Sequence, residues 1–338
     1  MSATRDSAND RSALAPWQQQ RLDVALVAWR AGRLGHAQLL CGPEAIGKRA
    51  VADALAARLL CEAPSDSPTC GRCRACALRL AGTHSDFRVL TYEINPNTDK
   101  RRTEIVVEQV RNAIDALQLT AMRGGAQVVL IDPADALNNN AANALLKTLE
   151  EPADNRFLLL VSAAPERLPA TIRSRCQRIE FGLPERGVAL DWLSAQGHAA
   201  ARAVEALEAA QGHPGLADAW IREGQLALRD STLKEWAGVA RGVAAPLGIA
   251  QLWLAEPAQA GLRLRFVADA AVALARGIAG APPVAGLTAP ADVDKLAAWF
   301  EQLNRLRLQL HAPLKHELAL AGLLAEWRTL MATTETRR

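Results

Sequence analysis

Two regimes of apolar and polar patterning divide this chain, and the change falls near residue 183. Before it, short apolar or strand-like runs recur at Ala37 to Cys41, Phe87 to Leu90, Val128 to Ile131, Phe157 to Val161 and Arg178 to Phe181. Stretches with helical spacing separate them. One runs from about Trp17 to Ala31, ending near Gly32, and an Ala-rich one runs from about Lys48 to Cys61. Val106, Val110, Ile114 and Leu117 share one helical face, as do Ala142, Leu145, Leu146 and Leu149. Strands alternating with helices predict a parallel sheet covered on both faces.

After Phe181-Gly182-Leu183-Pro184 the strand-like runs stop. A small helical segment extends to about Gly224, broken by Gly212-His213-Pro214-Gly215, and the remainder is helical apart from a Pro-, Gly- and Ala-rich loop from Ala279 to Pro290. The last two helices carry clear stripes, Val293, Leu296, Phe300 and Leu303, then Leu320, Leu323, Leu324 and Trp327. The pattern predicts an α/β domain over 1–183, a small helical domain over 184–226 and an all-helical C-terminal domain over 227–332. The first dozen residues are polar and aperiodic and read as a loose tail.

Composition narrows the function classes. Half of the 338 residues are apolar and 22% are charged, as in a soluble globular protein. The net charge of +3 argues against nucleic-acid binding through gross charge alone, while a local basic face stays open. No apolar run approaches the roughly 18 residues of a membrane span, and the polar start lacks a signal-peptide core, so a cytoplasmic protein is expected. Six cysteines without an export signal argue against a disulfide framework. The six histidines are scattered without ligand spacing. Trp299 and Trp327 read as core or subunit contacts. Arg263, Arg265, Arg305 and Arg307 read as solvated helix faces.

Two local patterns carry chemistry. Gly42-Pro43-Glu44-Ala45-Ile46-Gly47-Lys48-Arg49 follows a strand and opens a helix, the context of a phosphate-binding loop. Its glycines let backbone N–H groups face phosphates, and Lys48 would reach the β and γ groups. The final position normally carries a hydroxyl for Mg²⁺; here it is Arg49. Asp132 closes the run Val128 to Ile131 at the usual place of the metal-side aspartate, but Pro133 follows where an active ATPase has a water-activating glutamate. Gly42, Gly47, Lys48 and Asp132 therefore form a degenerate nucleotide site. The substitutions speak against hydrolysis and leave ATP binding in doubt, with a bare strand-turn-helix as the plain reading.

Cys61, Cys70, Cys73 and Cys76 lie within 16 residues and include two Cys-x-x-Cys steps. Four thiolates at that spacing suit one tetrahedral zinc with every position filled by protein, a structural site closed to substrate. Arg72, Arg74 and Arg79 are near enough to offset its negative charge. A redox pair is the alternative reading of the same spacing. The acidic, Pro- and Ser-rich loop Glu62 to Thr69 argues against a nucleic-acid-binding finger.

Further strings identify a family. With the cysteine cluster stand Ala81-Gly82-Thr83-His84-Ser85-Asp86, Val107-Glu108-Gln109-Val110-Arg111, Ala141-Ala142-Asn143-Ala144-Leu145-Leu146-Lys147-Thr148-Leu149-Glu150-Glu151-Pro152, Pro165-Glu166-Arg167-Leu168 and Thr171-Ile172-Arg173-Ser174-Arg175-Cys176. Over roughly residues 36 to 182 the chain resembles the AAA+ clamp-loader subunits of bacterial DNA polymerase III. The resemblance implies a P-loop NTPase-like domain, a helical lid and a C-terminal helical collar. Arg49, Pro133 and Gly212-His213-Pro214-Gly215, which replaces a sensor-arginine sequence, favour the delta-prime branch over the gamma/tau ATPases. The implied role is a non-hydrolysing stator in a hetero-oligomer with gamma/tau and delta subunits. It would assist ATP-driven loading of the sliding clamp onto primed DNA during replication, with no intrinsic catalysis. An active gamma/tau-type ATPase is the alternative.

The same resemblance assigns Arg175 as an arginine finger acting in trans on a neighbouring subunit's ATP. Without it, Arg175 reads as a surface arginine at a strand edge. Cys41 and Cys176 read as small buried apolar residues, and Ser162 falls where ATPases place a polar sensor.

Overall fold

A computed structural model describes residues 14–95, 99, 102–122, 125–151, 153–277, 285–287, 292–310 and 316–335. The expected N-terminal tail and most of the loop expected between 279 and 290 lie outside these residues. The chain divides into two compact units, one ending at Asp218 and one beginning at Ala219.

In the first unit five strands form one sheet: β1 (Ala37–Cys41), β2 (Phe87–Leu90), β3 (Gln127–Ile131), β4 (Arg156–Ser162) and β5 (Gln177–Glu180). Their order is β2-β3-β4-β1-β5, with every neighbouring pair parallel. Ala37 stands opposite Leu158, Gln38 opposite Gln177 and Phe87 opposite Val128. Central strands covered on both faces need near-continuous apolar sequence, and β1 and β3 are buried throughout. Successive side chains point to opposite faces. Leu40, Leu130 and Leu159 enter the core beneath α1 (Pro16–Arg30) and α2 (Lys48–Leu60). Leu39, Ile131 and Leu158 enter the core on the opposite face. Three helices follow in the chain before that second core is complete: α3 (Arg74–Leu80), α4 (Val107–Gln118) and α5 (Asn139–Glu150). Val110 and Leu117 of α4 and Leu145 and Leu149 of α5 line this core. This is the expected α/β architecture, a parallel sheet with a core on each face.

Three strands extend into polar residues that periodicity leaves out. Gln127 is buried and donates its amide to Ala116 O at 3.2 Å. The Gln38 amide donates to Gln177 Oε1 at 3.1 Å, so a polar pair closes the end of the β1–β5 ladder. Arg156 opens β4 opposite Gln127. The short helix α6 (Ala170–Arg173) precedes β5, and α7 (Arg186–Ala195), α8 (Ala200–Ala209) and α9 (Pro214–Arg222) follow it. Trp192 of α7 meets Trp17 of α1 edge-on, with ring centroids 5.4 Å apart. His198 and Asp218 pair at 2.6 Å.

The second unit is helical: α10 (Gln225–Ala240), α11 (Pro246–Leu254), α12 (Pro257–Gly277), α13 (Val293–Gln309) and α14 (His316–Glu335). Its core centres on Trp236, Trp299 and Trp327, all fully buried. The Trp236 and Trp327 rings stack with centroids 4.3 Å apart, and Trp299 lies 5.1 Å from Trp327. The Trp299 indole donates to Leu323 O at 2.8 Å. Asp292 caps α13 by accepting the Lys295 N–H at 3.0 Å.

One arginine departs from its expected place on a solvated face. Arg263 is largely buried, donating to Glu235 Oε2 and Thr232 Oγ1, each at 3.1 Å. The Trp253 indole donates to the same Glu235 oxygen at 2.6 Å. A carboxylate from α10 makes burial of this guanidinium affordable. No helix among the described residues is long and apolar enough to cross a membrane.

Candidate functional site

The loop after β1 turns through positive φ at Gly42, Ala45 and Gly47. Gly42 (φ +146°) lies so close to Phe181 that an added Cβ would strike the Phe181 carbonyl oxygen. Ala45 adopts a left-handed conformation at φ +57°, and Gly47 does so at +97°, immediately before α2. The space beside Gly47 is filled by the Gln18 side chain. Ile46 O accepts from both the Trp17 indole, at 2.9 Å, and the Gln18 amide, at 3.1 Å. On another side, Gly215 at the start of α9 leaves no room for a Cβ against Ala45 O. The loop is thus braced by α1, by the end of β5 and by the Gly212-to-Gly215 turn.

Both cations of the loop are satisfied by protein. Lys48 is 6% exposed and donates to Gly42 O at 2.7 Å and Pro43 O at 2.6 Å. Burial lowers its pKa from the ordinary lysine value, while Asp135, Glu44 and Asp132 pull the other way. Arg49 donates to Asp53 Oδ2 at 2.8 Å and to Asp132 Oδ2 at 3.0 Å. Burial opposes its charge, but those two carboxylates outweigh burial and raise its pKa. Gly42, Gly47, Lys48 and Asp132 are therefore brought together, and Arg49 joins them. Ser162 stands opposite Cys41 in the β1–β4 register, its buried hydroxyl without a partner among the described residues.

Arg175 is anchored elsewhere. It follows α6, and its Nη2 lies 2.7 Å from Glu150 Oε1 at the end of α5. Its Nη1 donates to Thr171 O at 2.9 Å and more loosely to Ser174 Oγ at 3.5 Å. About a third of its side chain is exposed. The neighbouring Cys176 is partly buried, which raises its thiol to about 11.

The cysteine module inserts between α2 and β2. Cys61 follows α2, Gly71 turns the chain at φ +68°, and Cys73 caps α3, which holds Cys76 in its first turn. This helix is a feature the spacing alone does not predict. All four sulfurs lie within 4.8 Å of one another. A tetrahedron with bonds of about 2.3 Å requires sulfurs about 3.8 Å apart, so small adjustments would bring the four onto one ion. Backbone N–H groups already point at sulfur: Cys70 N at Cys61, Cys73 N at Cys70 and Cys76 N at Cys73, over 3.3 to 3.4 Å. N–H groups of Arg72 and Cys73 pull the Cys70 thiol down to about 6, whereas burial pushes Cys76 up to about 12. The donor set fits zinc, which would compensate thiolate charge and cross-link the module.

Arg58 supports this module from beneath. It is 1% exposed and donates to the carbonyls of Cys61, Ala63 and Pro64. Its guanidinium carbon lies 5.0 Å from the centroid of the Trp29 ring, a cation–π contact. Within an Ala-rich helix Arg58 resembles an exposed residue, and no sequence signal distinguishes it.

A family model described as "DNA polymerase III, delta subunit" matches residues 17–184. The DNA polymerase III subunit delta' of Escherichia coli is 34% identical over 295 residues, which cover 87% of this chain and 85% of that protein. The chain belongs to the DNA polymerase III delta' family. The Pseudomonas aeruginosa delta' subunit is 47% identical over 53% of this chain; that alignment spans about half of the relative's length, 52%. The tau subunit of E. coli is also similar, 39% identical over 145 residues, covering 43% of this chain and 21% of tau.

Membership in the delta' family bears out the resemblance drawn from the motifs. Trp17, Gln18, Asp53, Arg58 and Glu150 lie around the sites, and sequence reasoning gave them no role. Trp17 and Gln18 precede the loop by about a helix, and their contact with it depends on the folded position of α1. Glu150 lies within a quoted motif, but its pairing with Arg175 spans 25 residues and is visible only in the folded chain.

Proposed function

We propose that this chain is a non-hydrolysing stator of a clamp loader. In that role it assembles with gamma/tau and delta subunits and assists ATP-driven loading of a sliding clamp onto primed DNA. The single observation carrying the non-hydrolysing part is the Arg49–Asp132 ion pair at 3.0 Å. In a working P-loop site, a hydroxyl at the first position and an aspartate at the second would serve Mg²⁺. Here a guanidinium neutralises that aspartate, and Pro133 offers no base.

Arg175 is the residue this reading assigns to catalysis, supplied to a neighbouring subunit's ATP. A guanidinium is always charged and forks onto phosphate oxygens, so it can stabilise charge developing on the transferred phosphoryl group. Its partial exposure supports such a role. The cysteine module would hold one structural zinc through Cys61, Cys70, Cys73 and Cys76. The helices after residue 183 would divide into a lid and a collar, the collar mediating assembly.

A second reading, a gamma/tau-type motor, draws on Lys48, on both loop glycines and on the similarity to tau. The two readings separate in one experiment. The purified chain is assayed for Mg²⁺-dependent ATP hydrolysis and then mixed with gamma/tau and delta on a sizing column. The stator reading expects no hydrolysis alone and a stoichiometric complex in the mixture. Turnover by the isolated chain would favour the motor.

A further inference from the structure

Arg175 projects from a short turn, where a long side chain ordinarily samples many rotamers. Here three acceptors restrain it. Nη1 is engaged by Thr171 O and Ser174 Oγ, and Nη2 by Glu150 Oε1. A guanidinium carries five N–H donors, two on each Nη and one on Nε. The contacts account for both Nη1 hydrogens and one on Nη2. Nε–H and the second Nη2 hydrogen have no protein acceptor among the described residues. Those two donors are suited to meet a phosphate in bidentate fashion.

Glu150 is an unexpected residue for its position. It is the last residue of α5, where the helix dipole disfavours a carboxylate and favours a cation. Local helix electrostatics therefore do not explain it. Its paired oxygen lies 2.7 Å from the arginine, and both side chains remain partly exposed, at 36% and 51%. The pair neither fills a core nor buries a charge.

We propose that Glu150 is the positioning residue of Arg175: it holds Nη2 so that the Nε edge of the guanidinium is presented to the neighbouring subunit's γ-phosphate. The inference rests on the finger reading above. Glu150 touches neither nucleotide nor reacting atoms. It acts by reducing the freedom the arginine must lose when it engages, a preorganisation effect on turnover rather than on ATP affinity.

The test uses the assembled complex of this chain with gamma/tau and delta, with clamp and primed DNA present and assembly verified by sizing. Glu150→Ala, Glu150→Gln, Arg175→Ala and the double alanine variant are compared. Glu150→Ala is expected to lower kcat about two- to fivefold, the range an exposed ion pair supplies, with KM for ATP unchanged. Glu150→Gln, which keeps an acceptor oxygen, should recover part of the loss. In the Arg175→Ala background, Glu150→Ala should add nothing. Three results overturn the inference while leaving the finger intact: wild-type kcat in Glu150→Ala beside a clear loss in Arg175→Ala, an additive loss in the double variant, or a change confined to KM. An Arg175→Ala complex with normal kcat would remove the finger reading itself, and the positioning role with it.

Discussion

The Arg49 guanidinium reaches from the first turn of α2 to the Asp132 carboxylate beyond β3, 3.0 Å away, while its Nε holds Asp53 at 2.8 Å. One side chain thereby ties helix to sheet at the spot where a nucleotide site would need a hydrated cation. Lys48 beside it rests on the carbonyls of its own loop. The arrangement is internally neutralised.

Arg49→Ala removes a partly buried cation and leaves Asp132 and Asp53 facing one another's field. A loss of about 1 kcal/mol is expected in urea unfolding, at the upper end for partly exposed pairs. Hydrolysis should be undetectable in both forms. Lys48→Ala should barely alter clamp loading by the complex. A large loading defect in Lys48→Ala would show that the loop still serves a nucleotide.

Arg175→Ala should leave folding, zinc content and assembly unchanged, yet lower clamp- and DNA-stimulated ATP hydrolysis. A trans arginine contributes about 10³ to 10⁵ in other phosphoryl-transfer systems, but a complex with several ATP sites should lose far less overall. Arg175→Lys should rescue little, because an ammonium cannot reproduce the fork. Steady-state ATPase and loading rates on the verified complex provide the check.

Metal analysis of the natively purified protein should find about one zinc per chain. Cys73→Ser should lower the zinc content and destabilise the module while sparing ATP hydrolysis by the complex. Arg58→Ala should act on the same module without touching a sulfur. It strips the Cys61, Ala63 and Pro64 carbonyls of their shared donor, and a loss of about 3 kcal/mol is expected, with faster zinc release to a chelator. Zinc release as slow as wild type would detach Arg58 from the metal site.

Asp292 gives the second unit a pH signature. The Lys295 N–H at the start of α13 holds its carboxyl below the usual carboxylate range. A depressed value in the folded state stabilises above the unfolded pKa and is lost as pH falls through the folded one. Asp292→Ala should therefore lower Tm at neutral pH. The gap to wild type should close in acid, below the ordinary aspartate pKa. An equal gap at pH 7 and below pH 3 would rule out the charged cap.

Legibility tracked the range of each interaction. Ala37–Cys41 and the following loop were readable because strand burial, glycine conformation and helix start are encoded within a dozen adjacent residues. The cysteine cluster was readable for the same reason. Gln127, Arg156 and Gln177 escaped the strand pattern because their ladders are set by backbone pairing, and the buried Gln127 amide finds an acceptor that sequence does not reveal. Arg263 read as solvated because its partner Glu235 lies 28 residues earlier, on another helix. Arg58 was hidden by the same logic, its acceptors being carbonyls that any residue supplies. Chemistry that follows a known spacing or motif was visible in the sequence, Asp132 included; pairings between elements with no such pattern, as at Arg263 and Arg58, became visible only in the fold.

The stacked indoles of the second unit also fix an order of events during synthesis. Trp236, Trp299 and Trp327 come from α10, α13 and α14, so their contacts span about ninety residues of chain. The first unit contains its whole sheet by residue 180 and can condense while the ribosome is still extending the chain. The tryptophan core must wait until α14 has emerged. Until then the indoles of α10 and α13 lack the Trp327 ring against which both pack in the folded unit.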